Sequence, residues 1–274
     1  MGNFIESIRS VQRNQNSLLC IGLDVDQQKI PQHLQHSNDP ILEFNKRIIE
    51  ATHDLVCAYK LNLAFYENQG AAGWENVRRA LGVVPKDIVT IGDGKRADIG
   101  NTSEQYAQAL FTLGFDAVTV SPYMGYDSVE PFLRDTTRGV FLLTLTSNPG
   151  SKDFQRLKVG KRPLFEKVAL AARKWNTKNN IGLVVGATYP KELKSIRRIV
   201  PEMPLLIPGI GKQGGDLKSS IRFGCDKNGK MAIINVGRSI IYASSGEDFG
   251  SAARREATKV RDDIRRYQEV FFSM

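Results

Sequence analysis

The sequence predicts a single α/β domain, a (β/α)8 TIM barrel spanning residues 1–274. Three observations lead there. Eight short apolar runs rich in β-branched residues recur along the chain, each is followed by a longer stretch of helical period, and no Pro-, Ser- or Gly-rich linker divides them. Apolar runs without polar alternation are strands buried on both faces, as in a parallel sheet covered by helices. Eight strand–helix units in about 250 residues match a closed barrel. The alternative, an open doubly wound sheet, usually has fewer strands in a chain of this size.

Taken in order, residues 4–11 read as an extra helix able to cover the barrel's N-terminal mouth. The eight runs are SLLCIGLDV, LVCAYKLNLAF, DIVTIGDGK, AVTVSP, VFLLTLTS, IGLVVGAT, PLLIPGI and AIINVGRSI. Segments such as PILEFNKRIIEATHD, TSEQYAQALFTLG, RPLFEKVALAARKWN and YPKELKSIRRIV carry helical spacing between them, and a charged amphipathic segment runs from residue 247 to the C-terminus. Residues 148–162 form a loop rich in Gly and Lys with few apolar anchors, a lid candidate.

Composition narrows the class. A chain that is 41% hydrophobic and 24% charged is neither disordered nor fibrous. No stretch reaches the ~18 apolar residues of a membrane span, and the N-terminus lacks the apolar centre of a secretory signal. The Met-Gly start continues to Glu6, where myristoylation needs Ser or Thr. Three cysteines, two of them inside apolar runs, suit a reducing compartment, so a cytoplasmic location is expected. The net charge of +9 comes from bases interleaved with acids, as in KELKSIRR. That pattern favours a basic surface for anionic small molecules over a nucleic-acid or membrane partner.

In a barrel the reacting groups project from the C-terminal strand ends. Polar or charged residues stand there in five runs: Asp24 after CIGL, Lys60 and Asn62 within CAYKLNLAF, Asp93 and Lys95 after VTIG, Ser147 after LLTLT, and Arg238 after INVG. A charge within an apolar strand is costly unless it has a partner or ligand. One such residue would be a salt-bridged strand end; five at the same end point to a site. The densest cluster is Asp93-Gly-Lys95-Arg-Ala-Asp98. Strand period places residues 93 and 95 on one face, and flanking carboxylates keep the Lys95 ammonium protonated, a proton donor rather than a nucleophile. Lys60, with fewer acids beside it in sequence, is the better candidate for Schiff-base chemistry.

Between residues 208 and 216, PGIGKQGGD contains a literal G-x-G-x-x-G at Gly209, Gly211 and Gly214. It follows the seventh strand and lacks the surrounding βαβ unit of a dinucleotide site, so a phosphate loop after strands seven and eight explains it better. Gln213, Gly237 and Arg238 would complete that site, Arg238 through a bidentate grip. His33, His36 and His53 lack metal-ligand spacing and read as surface residues.

GLDVD, YKLNLAFYE, DGKRADIGNTSEQYA, TVSPYMG, TLTSNPGS, PGIGKQGGD and INVGRSI, in this order, resemble the orotidine 5'-phosphate decarboxylase family, most of all its longer bacterial-type (type 2) subgroup, over residues 17–242. Gly94 and Ala97 stand at spacer positions where relatives often carry other small residues. The resemblance implies conversion of orotidine 5'-phosphate to UMP and CO2 in pyrimidine synthesis, with no metal or organic cofactor. It implies that Asp24, Lys60 and Asn62 hold the ribose hydroxyls, that Ser147 and the Pro208 region meet the pyrimidine, and that Gln213, Gly237 and Arg238 bind the 5'-phosphate. Lys95 would deliver the proton, within a network of Lys60, Asp93 and Asp98. Asp98 and Thr102 would reach into the neighbouring subunit's site, which implies a homodimer with shared active sites. Two other readings stand beside it: a magnesium-dependent sugar-phosphate decarboxylase or aldolase with the same D-x-K-x-x-D, and a silent nucleotide-phosphate binder.

Overall fold

The computed structural model of the chain describes residues 2–210 and 215–272. Each apolar run supplies one strand: β1 (Leu19–Gly22), β2 (Ala58–Asn62), β3 (Val89–Arg96), β4 (Ala117–Val120), β5 (Gly139–Leu145), β6 (Ile181–Val185), β7 (Leu205–Pro208) and β8 (Ala232–Val236). Each strand pairs in parallel with the next in sequence, and β8 pairs with β1 to close the barrel. The strands are buried along most of their length, as uninterrupted apolar runs require, and the main departure is the C-terminal half of β3, Asp93–Arg96. Helices Pro40–Thr52, Ala71–Val83, Gly100–Leu113, Leu164–Trp175, Pro190–Ile199, Leu217–Gly224 and Phe249–Phe272 form the outer layer. From β4 to β5 the crossover is only a four-residue helix, Tyr126–Val129, running into a 3-10 turn. No helix among the described residues is long and apolar enough to cross a membrane.

The N-terminal helix runs from Phe4 to Asn14, three residues past its predicted end, and is capped by the Asn3 side chain on Glu6 N. It lies across the starts of the strands. Phe4 is buried edge-on against Phe141 of β5, with ring centres 5.9 Å apart. Gly139 at the start of β5 leaves the room, since a Cβ there would lie 2.3 Å from the Phe4 ring. At the other end of the helix, buried Gln12 donates to Ala232 O and accepts from Met231 N, so it continues the backbone pairing where β8 begins. Arg197 performs a related task on the wall. Its buried guanidinium donates to the carbonyls of Val200, Met203, Gly224 and Met231, which ties the approaches to β7 and β8 to the helix between them.

The C-terminal helix packs on Pro40–Thr52, with Phe249 stacked on Phe44 at 5.2 Å and Arg254 paired with Asp54 through both nitrogens. Residues 148–162 are more ordered than their composition suggests. They hold a 3-10 turn, Pro149–Lys152, and a two-residue antiparallel ladder between Lys158–Val159 and Arg162–Pro163. The three histidines are exposed, and all three cysteines are buried and free.

Because Phe4 fills the mouth at the N-terminal ends of the strands, Phe4→Ala should cost about 3–5 kcal/mol of stability. It should lower the urea midpoint with an unchanged slope. A loss below ~1 kcal/mol would show that the helix does not seal the core.

Candidate active site

Strand register assembles the centre of the site. Lys60 on β2 lies level with Gly22 of β1 and Ile91 of β3. Two residues further along those neighbours stand Asp24 and Asp93, whose side chains return to the same face. The Lys60 ammonium therefore sits between two carboxylates, 3.3 Å from Asp24 Oδ1 and 3.2 Å from Asp93 Oδ2, with only 4% of its side chain exposed. Asp93 extends the chain of charges: Oδ1 accepts from Lys95 Nζ at 2.7 Å and from Thr119 Oγ1 at 2.8 Å. Lys95 is the outermost member, with its side chain 42% exposed.

Residues 93 and 95 do meet, but not as a regular strand would bring them together. The pairing of β3 with β4 shifts between Gly92 and Arg96, and Lys95 adopts φ +47°, a left-handed conformation costly for a residue with a Cβ. The Thr119 hydroxyl holds it there by accepting from Lys95 N at 2.9 Å. Such bulges re-aim side chains at functional sites.

Burial by itself would raise the Asp93 pKa. The ammonium groups of Lys60 and Lys95 and the Thr119 hydroxyl outweigh it and hold the carboxyl well below the usual carboxylate range. Burial would likewise lower the Lys60 pKa, but the Asp24 and Asp93 carboxylates outweigh it and leave the group above its ordinary value. This corrects the Schiff-base expectation for Lys60, since that chemistry needs a desolvated amine with a lowered pKa. The acids that keep it charged are distant in sequence and adjacent only across the barrel.

Asp24, Lys60, Asn62, Asp93, Lys95, Ser147, Pro208, Gly237 and Arg238 line one cavity of about 250 Å³ at the C-terminal mouth. Leu143, Val184 and Leu206 give it an apolar floor, while Gly237 and the exposed Arg238 stand on the side formed after β8. Ile210 and Gly215 form a bridge, with Gly215 N donating to Gly209 O at 3.0 Å, and Asp216 caps the next helix through Lys218 N and Ser219 N. Gln213 falls outside the described residues. Asp98 and Thr102 do not line this cavity. The Asp98 carboxylate accepts from Ile99 N at 2.8 Å, and Thr102 is exposed on the first turn of Gly100–Leu113.

Sequence reasoning passed over Thr119, Thr146 and Asn235. Asn235 lines the cavity, and its Oδ1 accepts from Cys20 Sγ at 3.5 Å. A polar residue inside AIINVG meets the same criterion that singled out Asn62, so this signal was available. Thr119 in AVTVSP carries no such signal, because threonine is common in strands. Among the described residues, no three His, Cys, Asp or Glu side chains converge as a metal-ligand set.

A closed parallel barrel with a Lys–Asp charge chain at its C-terminal mouth and an arginine beyond it defines a barrel enzyme built to stabilise negative charge on an anionic substrate. Residues 17–253 match the model of the orotidine 5'-phosphate decarboxylase / HUMPS family. The chain is 50% identical over 273 residues to an orotidine 5'-phosphate decarboxylase of Dehalococcoides mccartyi, covering 98% of this chain and 99% of that one. It is 49% identical over 257 residues to the enzyme of the same name from Herpetosiphon aurantiacus, covering 93% and 95%. Among solved structures it resembles Leishmania donovani OMP decarboxylase, with TM-score 0.85, 38% identity and coverage of 97% and 99%. It also resembles Leishmania donovani UMP synthase, with TM-score 0.88, 39% identity and 98% of this chain covered, although it spans only 57% of that chain. The chain belongs to the orotidine 5'-phosphate decarboxylase / HUMPS family.

The direction of each shift sets a pH dependence. Asp93 is depressed in the folded state, so its stabilisation is complete above its unfolded value, ~3.9, and is lost as pH falls through the folded one. Lys60 is raised, so its contribution is complete below ~10.4 and is lost as pH rises through its folded value. Asp93→Asn should cost about 3–5 kcal/mol near neutrality by stripping a buried cation of one of its two carboxylate partners. It should also flatten the fall in urea midpoint between pH 5 and 2 relative to wild type. Equal acid slopes in the two proteins would refute the assignment.

Proposed function

We propose that this chain decarboxylates orotidine 5'-phosphate to UMP and CO2 in pyrimidine synthesis, without a metal or organic cofactor. The observation that carries this reading is the unbroken chain Asp24–Lys60–Asp93–Lys95, ending in an ammonium at the mouth of a cavity with an apolar floor. Identity near 50% to decarboxylases over almost the whole chain supports the same substrate and disfavours the sugar-phosphate branch. The intact charge cluster disfavours a silent binder.

In this mechanism the bond from the pyrimidine ring to its carboxyl carbon breaks, and its electron pair stays on the ring carbon. No adjacent group can delocalise that pair, so the protein supplies the stabilisation. The Lys95 ammonium, positioned by Asp93, neutralises the charge as it develops and then gives up its proton to the same carbon. In a water-excluded site such electrostatic preorganisation is worth several kcal/mol, and each ~1.4 kcal/mol is tenfold in rate. Asp93 enters ionised, so it repels the substrate carboxylate, and loss of CO2 relieves that repulsion. Asp24, Lys60 and Asn62 hold the ribose. Ser147 and Pro208 meet the pyrimidine, and Gln213, Gly237 and Arg238 take the phosphate, whose remote binding energy serves the reacting carbon.

We further propose a homodimer in which Asp98 and Thr102 complete the partner's site. Both lie outside their own cavity, and Ile99, next to Asp98 in the chain, is 59% exposed, a large apolar group suited to a subunit contact. TSNPGS after β5 supports the longer bacterial-type (type 2) subgroup. Buried free cysteines suit a cytoplasmic location.

The orotate chromophore should disappear when the protein is mixed with orotidine 5'-phosphate in excess EDTA. Activity that requires added magnesium would move the chain to the sugar-phosphate branch. Lys95→Ala should abolish turnover, by at least about a thousandfold, while UMP still binds in a calorimeter. Comparable loss of both would sink the role given to Lys95. Mixed Lys95→Ala and Asp98→Ala proteins should regain part of the activity through hybrid dimers. No recovery despite demonstrated subunit exchange would argue against shared sites.

A further inference from the structure

β4 ends at Val120, whose partner on β5 is Leu142, so the last residues of β5 have no strand beside them on that side. On the opposite side Gly186 N donates to Leu145 O at 2.8 Å. Backbone groups of successive strand residues alternate between the two edges, so Thr146 N–H turns to the open β4 side. Gln155, from the loop after β5, stands where a neighbouring strand would. Its Oε1 accepts from Thr146 N at 2.7 Å, and its Nε2 donates to Thr146 Oγ1 at 2.9 Å. The same hydroxyl donates to Asn148 Oδ1 at 2.6 Å.

Gln155 is itself fixed. Its carbonyl accepts from Phe165 N at 2.9 Å at the start of Leu164–Trp175. The next residue, Arg156, faces the other way, 3.9 Å over the Tyr189 ring and 2.7 Å from Glu192 Oε1. Thr146 and Ser147 both line the active-site cavity, and a Cβ at Gly186 would lie 2.8 Å from Ser147 N. The Thr146–Ser147 backbone is thus wedged between β6 and an amide side chain of the loop.

We infer that Gln155 is a positioning residue for the decarboxylation, setting the wall against which the pyrimidine lies by completing the hydrogen bonds of the β5 end. The inference rests on the functional reading above. It makes the folded state of the loop and the shape of the wall one event: a loop that swings away removes the partner of Thr146 N–H and loosens the backbone that leads into Ser147.

Gln155→Leu keeps the volume and removes both bonds. Gln155→Glu keeps an acceptor for Thr146 N–H and a second oxygen for the Thr146 hydroxyl. The leucine variant should lose about ten- to a hundredfold in kcat/KM, the cost of a small misplacement near the reacting centre. Amide exchange at Thr146 should accelerate in parallel, and the glutamate variant should recover most of both. Phe4→Ala, which weakens the barrel at its far mouth, should keep the wild-type kcat/KM at a temperature where it remains folded. A leucine variant with wild-type kcat/KM, unchanged exchange at Thr146, or a glutamate variant as impaired as leucine would each overturn the role of Gln155. A wild-type protein inert toward orotidine 5'-phosphate would instead overturn the functional reading, and the catalytic role with it.

Discussion

The catalytic mouth depends on one buried ammonium. Lys60 rises from the middle of β2, almost wholly out of water, and is held between Asp24 on one neighbouring strand and Asp93 on the other. Removing a cation from water costs several kcal/mol, and here two carboxylates offset it. That balance requires β1, β2 and β3 in the observed register. Asp93 then serves both lysines and Thr119, so the outer ammonium of Lys95 inherits its position from the inner one. The placement of the Lys95 ammonium is, physically, a consequence of how Lys60 is accommodated.

Stability and chemistry occupy opposite ends of the barrel. The N-terminal mouth is stoppered by Phe4 and Gln12, and Arg197 ties the approaches to β7 and β8 with its guanidinium bonded to backbone carbonyls. Irregularity collects at the other end. The register shifts in β3–β4 between Gly92 and Arg96 and in β5–β6 between Leu143 and Leu145, just before the strand ends present Lys95 and Ser147. Backbone N–H groups fall outside the ladder at this end, and side chains take them up: Thr119 for Lys95, where the β3–β4 register shifts, and Gln155 for Thr146, where β4 has ended. In both cases a departure from regular pairing frees a strand end to point its side chain into the cavity, and one hydrogen bond from a neighbouring element restores rigidity.

Much of this was legible in the residues. The eight apolar runs became the eight strands because a strand buried on both faces tolerates few polar residues, so its sequence is unmistakable. The same rule makes Asp24, Lys60, Asn62, Asp93 and Lys95 conspicuous, and it extends to Asn235 within the last run, three residues before Arg238. It was silent on Thr119, whose hydroxyl looks like any strand threonine until β3 and β4 are placed side by side. It misjudged Lys60, because closeness in sequence stood in for closeness across the barrel. It also left residues 148–162 without anchors, since their bonds run through Gln155 and Arg156 rather than through apolar side chains.

The sequence by itself determined the number and order of the strands, the end of the barrel that carries the polar groups, and the family, because periodicity and motif order are properties of the chain alone. The charge state of Lys60, the left-handed turn at Lys95 and the bonding of the β5 end were decided by tertiary structure. Each depends on atoms from different strands meeting within about 3 Å, and only closure of the barrel in one register brings them there.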